Sequence, residues 1–218
     1  MADPWILATR NAGKLRELRD LFAVHGIDAI DLREAGVAEV APAEEGIEAF
    51  ETFEENALAK ARYFSSRLPG CIVVADDSGL VVDALEGAPG VRSRRWSGRR
   101  DLEGPALDAS NNALLMSRLA GTVNRDARFV CAAAWCDGVS EFVARGEVGG
   151  RIVDEAMGDR GFGYDPHLFV AELGKTMAEA TMAEKRRVSH RGRAFTRLIL
   201  EWNGTLRARG VSGERSGS

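Results

Sequence analysis

The spacing of apolar residues near the N-terminus predicts a strand, a helix and a second strand. Trp5 to Ala8 form a short apolar run that is typical of a buried strand. Leu15, Leu18 and Phe22 then recur at helical spacing and predict an amphipathic helix. Ile27 to Ile30 predict the next strand. The chain therefore opens with a strand, a turn and a helix.

A loop and a longer helix follow these elements. Residues 34–48 are rich in Ala, Glu and Pro and predict an irregular segment. Thr52 and Glu55 match a capping box at the start of a helix. Lys60 lies one turn after Asn56, so the two side chains share a face of this helix. Its apolar positions are Phe53, Ala57, Ala61, Phe64 and Leu68.

The second half of the chain predicts a further helix, a hairpin and a final helix. A helix is expected within Asp101 to Leu119. Ala127 to Trp135 form an apolar run, Asp137 and Gly138 predict a turn, and an alternating return strand follows. Another strand is expected at His167 to Val170. The last helical pattern carries Phe195, Leu198, Ile199 and Trp202.

These elements imply an α/β fold with a mixed central β-sheet flanked by helices, because early strands alternate with helices and a later pair is antiparallel. Residues 1–207 contain no repeat and no linker, so they predict a single domain. Residues 208–218 end the chain in a stretch rich in Gly and Ser, and they predict a disordered tail.

Charge and composition narrow the class of protein. The net charge of −4 disfavours a general binder of nucleic acid or of membrane surfaces. No apolar stretch reaches the length of a membrane span, and a charged helical pattern stands where a signal peptide would be. Cys71, Cys131 and Cys136 lack metal-type spacing and fit the thiols of a reducing compartment. We therefore expect a cytoplasmic protein.

The run VVADDSG carries candidate chemistry, because two carboxylates follow an apolar strand directly. Asp76 and Asp77 repel each other, and a bound Mg²⁺ would remove that repulsion. The alternative interpretation is a solvated turn, since Asp, Ser and Gly are all turn residues. The pair alone leaves both interpretations open.

The turn TRNAGK joins the first strand to the first helix. Gly13, Lys14 and the helix N-terminus meet near one point there, which suits phosphate oxygens. It is not a Walker A loop, because Leu15 follows the lysine. The alternative is a helix capped by Asn11 with a solvated lysine.

Two later segments also allow more than one interpretation. In RGFGYDP, glycines flank Phe162, and its ring suits stacking on a nucleobase. The alternative is a tight turn whose aromatic residues join the core. The segment EKRRVSHRGR clusters cations that can reach phosphates or purine acceptors, and its alternative is a solvated helix face.

Five segments occur in the order and spacing of the inosine/xanthosine triphosphate pyrophosphatase family, which the chain resembles from Ile6 to about Trp202. They are TRNAGK, TFEENALAKA, ADDSGLVVDALEGAPGV, GFGYDP and EKRRVSHRG. The resemblance implies two lobes with the active site in the cleft between them, and a homodimer. It implies Mg²⁺-dependent hydrolysis of non-canonical purine nucleoside triphosphates (ITP, dITP and XTP) to monophosphate and pyrophosphate, which cleanses the nucleotide pool.

The resemblance also implies roles for acidic residues. Asp77 matches the family's general base and metal ligand, Asp76 a supporting metal position and Glu44 a second acidic metal position. Because the stretch after Glu44 is longer than is usual in the family, Glu45 and Glu48 remain alternatives. Phosphoryl transfer needs charge neutralisation and positioning more than a covalent nucleophile, and these residue types fit that need.

The implied substrate contacts fall into two groups. The loop, lysine and serine contacts are Thr9, Arg10, Asn11, Ala12, Gly13, Lys14, Lys60, Ser78 and Lys185. The nucleoside contacts are Phe162, Gly163, Tyr164, Asp165, His190 and Arg191. Phe162 matches the stacking residue, and His190 and Arg191 match the pair that faces the keto edge of the purine. Donors at that edge oppose the amino group of adenine, whereas the sequence does not show how guanine is rejected.

Departures from the family pattern leave alternatives for the function. Arg10 stands where many members have Gly, and it either adds positive charge near the triphosphate or points to solvent. Arg92 and Arg94 stand where relatives often carry Tyr and a small residue. With Trp96, these arginines motivate a non-hydrolytic nucleotide- or RNA-binding module as one alternative. A pyrophosphatase acting on canonical or pyrimidine nucleotides is the nearer alternative.

Overall fold

A seven-stranded sheet forms the centre of the computed structural model, which describes residues 4–213 without the side chains of Glu45 and residues 205–213. Its strands are β1 (Trp5–Leu7), β2 (Ala29–Asp31), β3 (Val73–Val82), β4 (Asp126–Cys136), β5 (Glu141–Ile152), β6 (Leu168–Val170) and β7 (Lys175–Thr176). They lie in the order β2-β1-β3-β4-β5-β6-β7. β1 pairs in parallel with β2 and β3, and the later pairs are antiparallel. The predicted mixed sheet is confirmed.

Helices cover both faces of this sheet. They are α1 (Ala12–Val24), α2 (Phe53–Arg67), α3 (Gly104–Arg118), α4 (Met182–Val188) and α5 (His190–Gly213). The predicted start of α2 is confirmed, because the Thr52 hydroxyl accepts the Glu55 amide at 3.2 Å. α5 continues to Gly213, into the stretch predicted as a tail, and residues 214–218 lie outside the described residues. Within residues 4–213, the helices are too short or too polar to span a lipid bilayer.

The apolar run of β1 is buried on both sides, because successive residues of a strand point to opposite faces. Trp5 and Leu7 pack with residues of α1 and α5 on one face. Ile6 and Ala8 pack with residues of α2 on the other. The end of β1 is therefore packed on both faces of the sheet. The turn that leads to α1 begins at this end.

β3 continues through the two aspartates. All ten of its residues pair with β4, so Asp76 and Asp77 lie in mid-strand. The alternative of a solvated turn is therefore wrong. Gly79 is needed at its position because a Cβ there would overlap Ser93 and the Gly90 carbonyl, both in the 3-10 helix of residues 90–95. This contact brings the Arg-rich segment against the strand that carries both carboxylates.

The predicted hairpin is confirmed between β4 and β5. The amides of Val139 and Ser140 donate to Asp137 Oδ1 at 2.9 and 2.6 Å, so the aspartate closes the turn locally. β4 lies beside β3 along its whole length and shields the aspartates on that side.

Candidate active site

A cavity of about 380 Å³ brings most of the predicted site residues together. The residues that line the cavity come from two parts of the chain. The first part contributes the turn after β1, the segment after β2, α2 and β3. The second part contributes the 3-10 helix of residues 90–95, α3, the loop of residues 162–165 and the start of α5. The predicted residues that line it are Thr9, Arg10, Asn11, Lys14, Glu44, Lys60, Asp77, Ser78, Phe162, Gly163, Tyr164, Asp165, His190 and Arg191.

Four predicted residues do not line the cavity. Asp76 and Lys185 are buried behind it. Ala12 is exposed as the first residue of α1. Gly13 lies beneath the Phe162 ring, because a Cβ at this position would overlap the ring. The glycine therefore lets the aromatic ring approach the N-terminus of α1.

Asp76 is an internal counter-ion for two cations. Its Oδ2 atom lies 3.0 Å from Lys14 Nζ and 3.3 Å from Arg191 Nε, and the side chain is fully buried. Burial alone would raise the pKa of Asp76, but Lys14, Arg191 and Lys60 outweigh it and hold the pKa well below its ordinary range. Asp76 is therefore ionised at neutral pH. The alternative interpretation of this turn was a helix capped by Asn11 with a solvated lysine. Asn11 does cap α1, but Lys14 is paired with Asp76 and is not solvated.

Asp77 is held by two hydrogen bonds. Its Oδ2 accepts Asn56 Nδ2 at 2.9 Å, and its Oδ1 accepts the Ser78 amide at 2.9 Å. Asn56 cannot turn away, because its amide also exchanges two hydrogen bonds with the backbone of Phe50, at 2.9 and 3.1 Å. The carboxylate is thus fixed in orientation at the cavity wall.

The surroundings of the two adjacent aspartates shift their pKa values in opposite directions. Burial raises the pKa of Asp77 to about 6, and the nearby Glu48 acts in the same direction against Lys14 and Lys60. Asp76 has the opposite shift because it faces the cations directly. Two carboxyl groups whose environments separate their pKa values suit different roles. Asp77 is the one matched to accepting a proton near neutral pH.

Glu48 is the acidic residue that faces the aspartates. Lys60 Nζ donates to the Asp76 carbonyl at 2.9 Å and forms an ion pair with Glu48. Burial would raise the pKa of Glu48, but Lys60 lowers it below its ordinary value. Glu44 is engaged elsewhere, because both its oxygens accept from Arg10, at 2.8 and 2.9 Å. Arg10 therefore neither points to solvent nor offers a free charge to the cavity.

The donor set fits a magnesium ion that arrives with a polyphosphate. No three His, Cys, Asp or Glu side chains of the described residues form a ready metal cage. Mg²⁺ commonly uses only one or two protein carboxylates together with phosphate oxygens. Glu48 and Asp77 offer such a pair on the cavity wall. Behind them, Asp76 Oδ1 is buried without a hydrogen-bond partner in the described part of the chain.

The loop of residues 161–165 sends its two aromatic residues in different directions. Phe162 is half-buried at the cavity, with the Arg191 guanidinium 5.6 Å from its ring centre. Tyr164 is buried, and its hydroxyl donates to the Ser93 carbonyl at 2.8 Å. The alternative of an aromatic residue that joins the core is confirmed for Tyr164, and stacking of Phe162 on a nucleobase stays a prediction. Tyr164 anchors the loop, and Phe162 remains at the cavity.

The basic segment at the end of α4 and the start of α5 has two buried cations, Lys185 and Arg191. Lys185 Nζ lies 2.5 Å from Asp165 Oδ2 and ties α4 to the aromatic loop. Arg191 donates to Ser78 Oγ at 2.9 Å and pairs with Glu17. The solvated helix face is therefore wrong for these two cations, because each has an acidic partner inside the protein.

His190 is the first residue of α5 and also lines the cavity. Its ring stacks on Phe129 with 4.9 Å between the centres. Burial and the neighbouring Arg191 lower the pKa of His190 well below its ordinary value, so the ring is neutral. Its Nδ1 atom has no hydrogen-bond partner among the residues that the structure describes.

Several supporting residues of the site could not be named from the sequence. Asn56 holds Asp77, and its spacing with Lys60 was the signal that could have identified it. Glu17 lies one turn after Lys14 on α1, but it pairs with cations from the far end of the chain. Asp108 accepts the Gly163 amide at 2.8 Å from α3, a contact that no local pattern indicates.

The raised pKa of Asp77 predicts a pH-dependent cost to stability. Above the ordinary value of 3.8 and up to about 6, the folded state binds more protons than the unfolded state, so stability falls as pH rises. This shift corresponds to about 3 kcal/mol. We expect Asp77→Asn to gain stability relative to wild type by up to that amount between about pH 4 and about pH 7.

Urea unfolding of both proteins with chelator present measures this difference. Comparing the two proteins at each pH cancels the other titrating groups and any hydrogen bond lost in the variant. A difference that does not change with pH would show that Asp77 has no raised pKa.

Comparisons with known proteins agree with this geometry. The model of the Ham1 family matches residues 5–201. A dITP/XTP pyrophosphatase of Chromobacterium violaceum is 45% identical over 204 residues, covering 92% of this chain and 98% of that protein. A dITP/XTP pyrophosphatase of Mycolicibacterium paratuberculosis is 46% identical over 211 residues, covering 95% of this chain and 99% of that protein.

Solved structures show the same fold. The Ham1 protein of Staphylococcus aureus superimposes with a TM-score of 0.76 at 33% identity, covering 93% of this chain and 100% of that one. A nucleoside-triphosphatase / dITP/XTP pyrophosphatase from Mycobacterium abscessus has a TM-score of 0.65 at 40% identity, covering 90% and 97%. Because the family match spans most of the sequence, the chain belongs to the Ham1 family.

Proposed function

We propose that this protein hydrolyses ITP, dITP and XTP to the nucleoside monophosphate and pyrophosphate with Mg²⁺ as cofactor. The observation that carries the proposal is the position of Asp77, which lines the cavity together with Lys14 and Lys60 while its neighbour Asp76 is buried behind it and pairs with Lys14. The relatives named dITP/XTP pyrophosphatase support the substrate class.

The phosphate end of the cavity is formed by Lys14, Lys60 and the N-terminus of α1. Both lysines line the cavity while their charges are partly balanced by Asp76 and Glu48. A triphosphate would add the negative charge that this end accommodates, and the partial positive charge at the N-terminus of α1 would favour its oxygens. These residues bind and align the chain of phosphates for attack by water.

Asp77 accepts the proton of the attacking water in this proposal. Its raised pKa still leaves it mainly ionised at neutral pH, and Asn56 keeps its carboxylate in one orientation. Lys60 and Lys14 offset the charge that develops on the phosphate oxygens. Mg²⁺, held by Glu48 and Asp77 with Asp76 behind them, would supply further charge neutralisation to the phosphates. Glu48 thus takes the role that the resemblance gave to Glu44.

The nucleobase end is formed by Phe162, His190 and Arg191. Phe162 offers a ring for stacking, and His190 and Arg191 also line the cavity. The start of α5 at His190 adds partial positive charge, which favours a keto oxygen. An adenine amino group would leave such donors unpaired, and that loss discriminates strongly.

Product analysis with ITP tests the proposal. With Mg²⁺ we expect inosine monophosphate and pyrophosphate in equal amounts, and no turnover with chelator. Diphosphate with phosphate, or unchanged turnover with chelator, would contradict it. Equal rates with ATP, GTP and pyrimidine triphosphates would instead favour the pyrophosphatase for canonical or pyrimidine nucleotides. Tight binding of single-stranded RNA without turnover would favour the binding module.

The homodimer and the cytoplasmic location stay predictions. Cys71, Cys131 and Cys136 are free thiols, which supports a reducing compartment. The net charge of −4 still argues against nucleic acid as a partner.

A further inference from the structure

The Arg10 clasp consists of Arg10, Glu44 and the carbonyls of residues 37–39. Arg10 Nε and Nη2 donate to the two Glu44 oxygens at 2.8 and 2.9 Å. Nη1 donates to the Ala38 carbonyl at 3.1 Å, and Nη2 also donates to the Glu39 carbonyl at 2.8 Å. All three guanidinium nitrogens are therefore engaged by one segment of the chain.

This segment has few other attachments. Among the described residues, every hydrogen bond that ties residues 38–47 to other parts of the protein is donated by Arg10. The hydrogen bonds of Ala41, Glu44 and Ile47 amides stay within the segment. Val40 has 63% of its surface exposed, so apolar packing does not replace the clasp.

Glu48 lies directly after the segment that the clasp holds. It pairs with Lys60, whose amine also donates to the Asp76 carbonyl at 2.9 Å, and it lines the same cavity as Asp77. The next firm attachment is Phe50, which bonds Asn56 on α2. The position of Glu48 is thus set by the clasp on one side and by α2 on the other.

We propose that Arg10 is a positioning residue that acts through Glu44 and the carbonyls of residues 37–39 to present Glu48 to the phosphate end of the site. The proposal rests on the proposed function, because it concerns the carboxylate partner of Asp77. A glycine at position 10 could donate none of these side-chain hydrogen bonds, so this arrangement belongs to chains that carry arginine here. Arg10 serves the reaction without contacting the phosphates.

The geometry favours this role over that of a phosphate ligand. The pairing of Arg10 with Glu44 is bidentate, and their side chains are only 28% and 11% exposed. Charge-assisted, bidentate pairs of this kind are among the stronger hydrogen bonds in proteins. A phosphate would have to displace a carboxylate and two carbonyls to reach the guanidinium.

Hydrogen exchange of the ligand-free protein tests the clasp without relying on activity. We expect Arg10→Gln and Glu44→Gln each to speed exchange of the amides of residues 41–47 by about tenfold. Arg62→Gln is the matched control, because Arg62 on α2 forms a comparable bidentate pair with Glu141 on β5, and neither residue lines the cavity. Unchanged exchange in both clasp variants would overturn the proposal.

Kinetics then separate a positioning residue from a phosphate ligand. Both clasp variants should raise the Mg²⁺ concentration for half-maximal ITP turnover by about tenfold, with a smaller change in KM for ITP. The double variant should resemble either single variant, because both remove the same clasp. If Arg10 bound phosphate, Glu44→Gln would free it and lower KM, and that result would overturn the proposal.

Hydrogen exchange and kinetics distinguish a failure of the proposed function from a failure of the proposed role of Arg10. Loss of the proposed function would appear as no ITP turnover in wild type, while the exchange result would still stand. Faster exchange with an unchanged Mg²⁺ requirement would show that the clasp orders the segment but does not position Glu48.

Discussion

Asp77→Asn is expected to lower kcat for ITP by about 10²- to 10⁴-fold, because an amide cannot accept the proton of the attacking water. ITP binding should change much less. The lysines of the phosphate end and the rings of the nucleobase end are untouched by the substitution. Single-turnover kinetics, with ITP binding measured separately by calorimetry, distinguish the two effects.

The matched control for this variant is Asp83→Asn. Asp83 follows β3 directly, but it pairs with Arg128 at the surface and does not line the cavity. Near-normal kcat in this control, beside a large loss in Asp77→Asn, would assign the effect to position 77. A kcat for Asp77→Asn within a few-fold of wild type would remove Asp77 as the base.

Arg191→Gln is expected to reduce both stability and substrate recognition. The arginine is buried and pairs with Asp76 and Glu17, so its removal leaves the buried Asp76 and the partly buried Glu17 without their shared cation. Breaking a buried ion pair in this way costs about 3–5 kcal/mol. The contact to Phe162 and the hydrogen bond to Ser78 are also lost, so KM for ITP should rise.

Chemical denaturation and ITP kinetics measure these two effects of Arg191→Gln. Arg193→Gln is its control, because Arg193 lies on the same helix but pairs with the exposed Glu172. Arg191→Lys should be intermediate, since lysine keeps the charge but not the planar fork that serves three partners. An unfolding midpoint for Arg191→Gln equal to that of the control would contradict the internal network.

Local signals predicted the parts of the fold that depend on neighbouring residues. The caps at Asn11 and Thr52 and the turn at Asp137 each involve bonds within three residues, so the sequence contains the whole interaction. The course of β3 could not be predicted in this way. Asp76 and Asp77 stay in the strand because β4, some fifty residues later, pairs with every residue of it.

The sequence indicated which residues belong to the candidate site more completely than it indicated the contacts between them. The sequence indicated Asp77, Lys14 and Phe162, but not that Asn56 fixes the base or that Glu17 joins the cations. The acidic partner of Asp77 was left open among three glutamates. Only the folded chain shows that Arg10 occupies Glu44 while Glu48 faces Asp77.

A competition between ITP and ATP tests the function of the site most directly. The protein receives both nucleotides at equal concentration with Mg²⁺, and phosphorus NMR follows all products in one sample. We predict that inosine monophosphate and pyrophosphate form while ATP persists, because the nucleobase end accepts a keto edge. Consumption of both nucleotides at the same rate, or release of phosphate as the first product, would contradict this account.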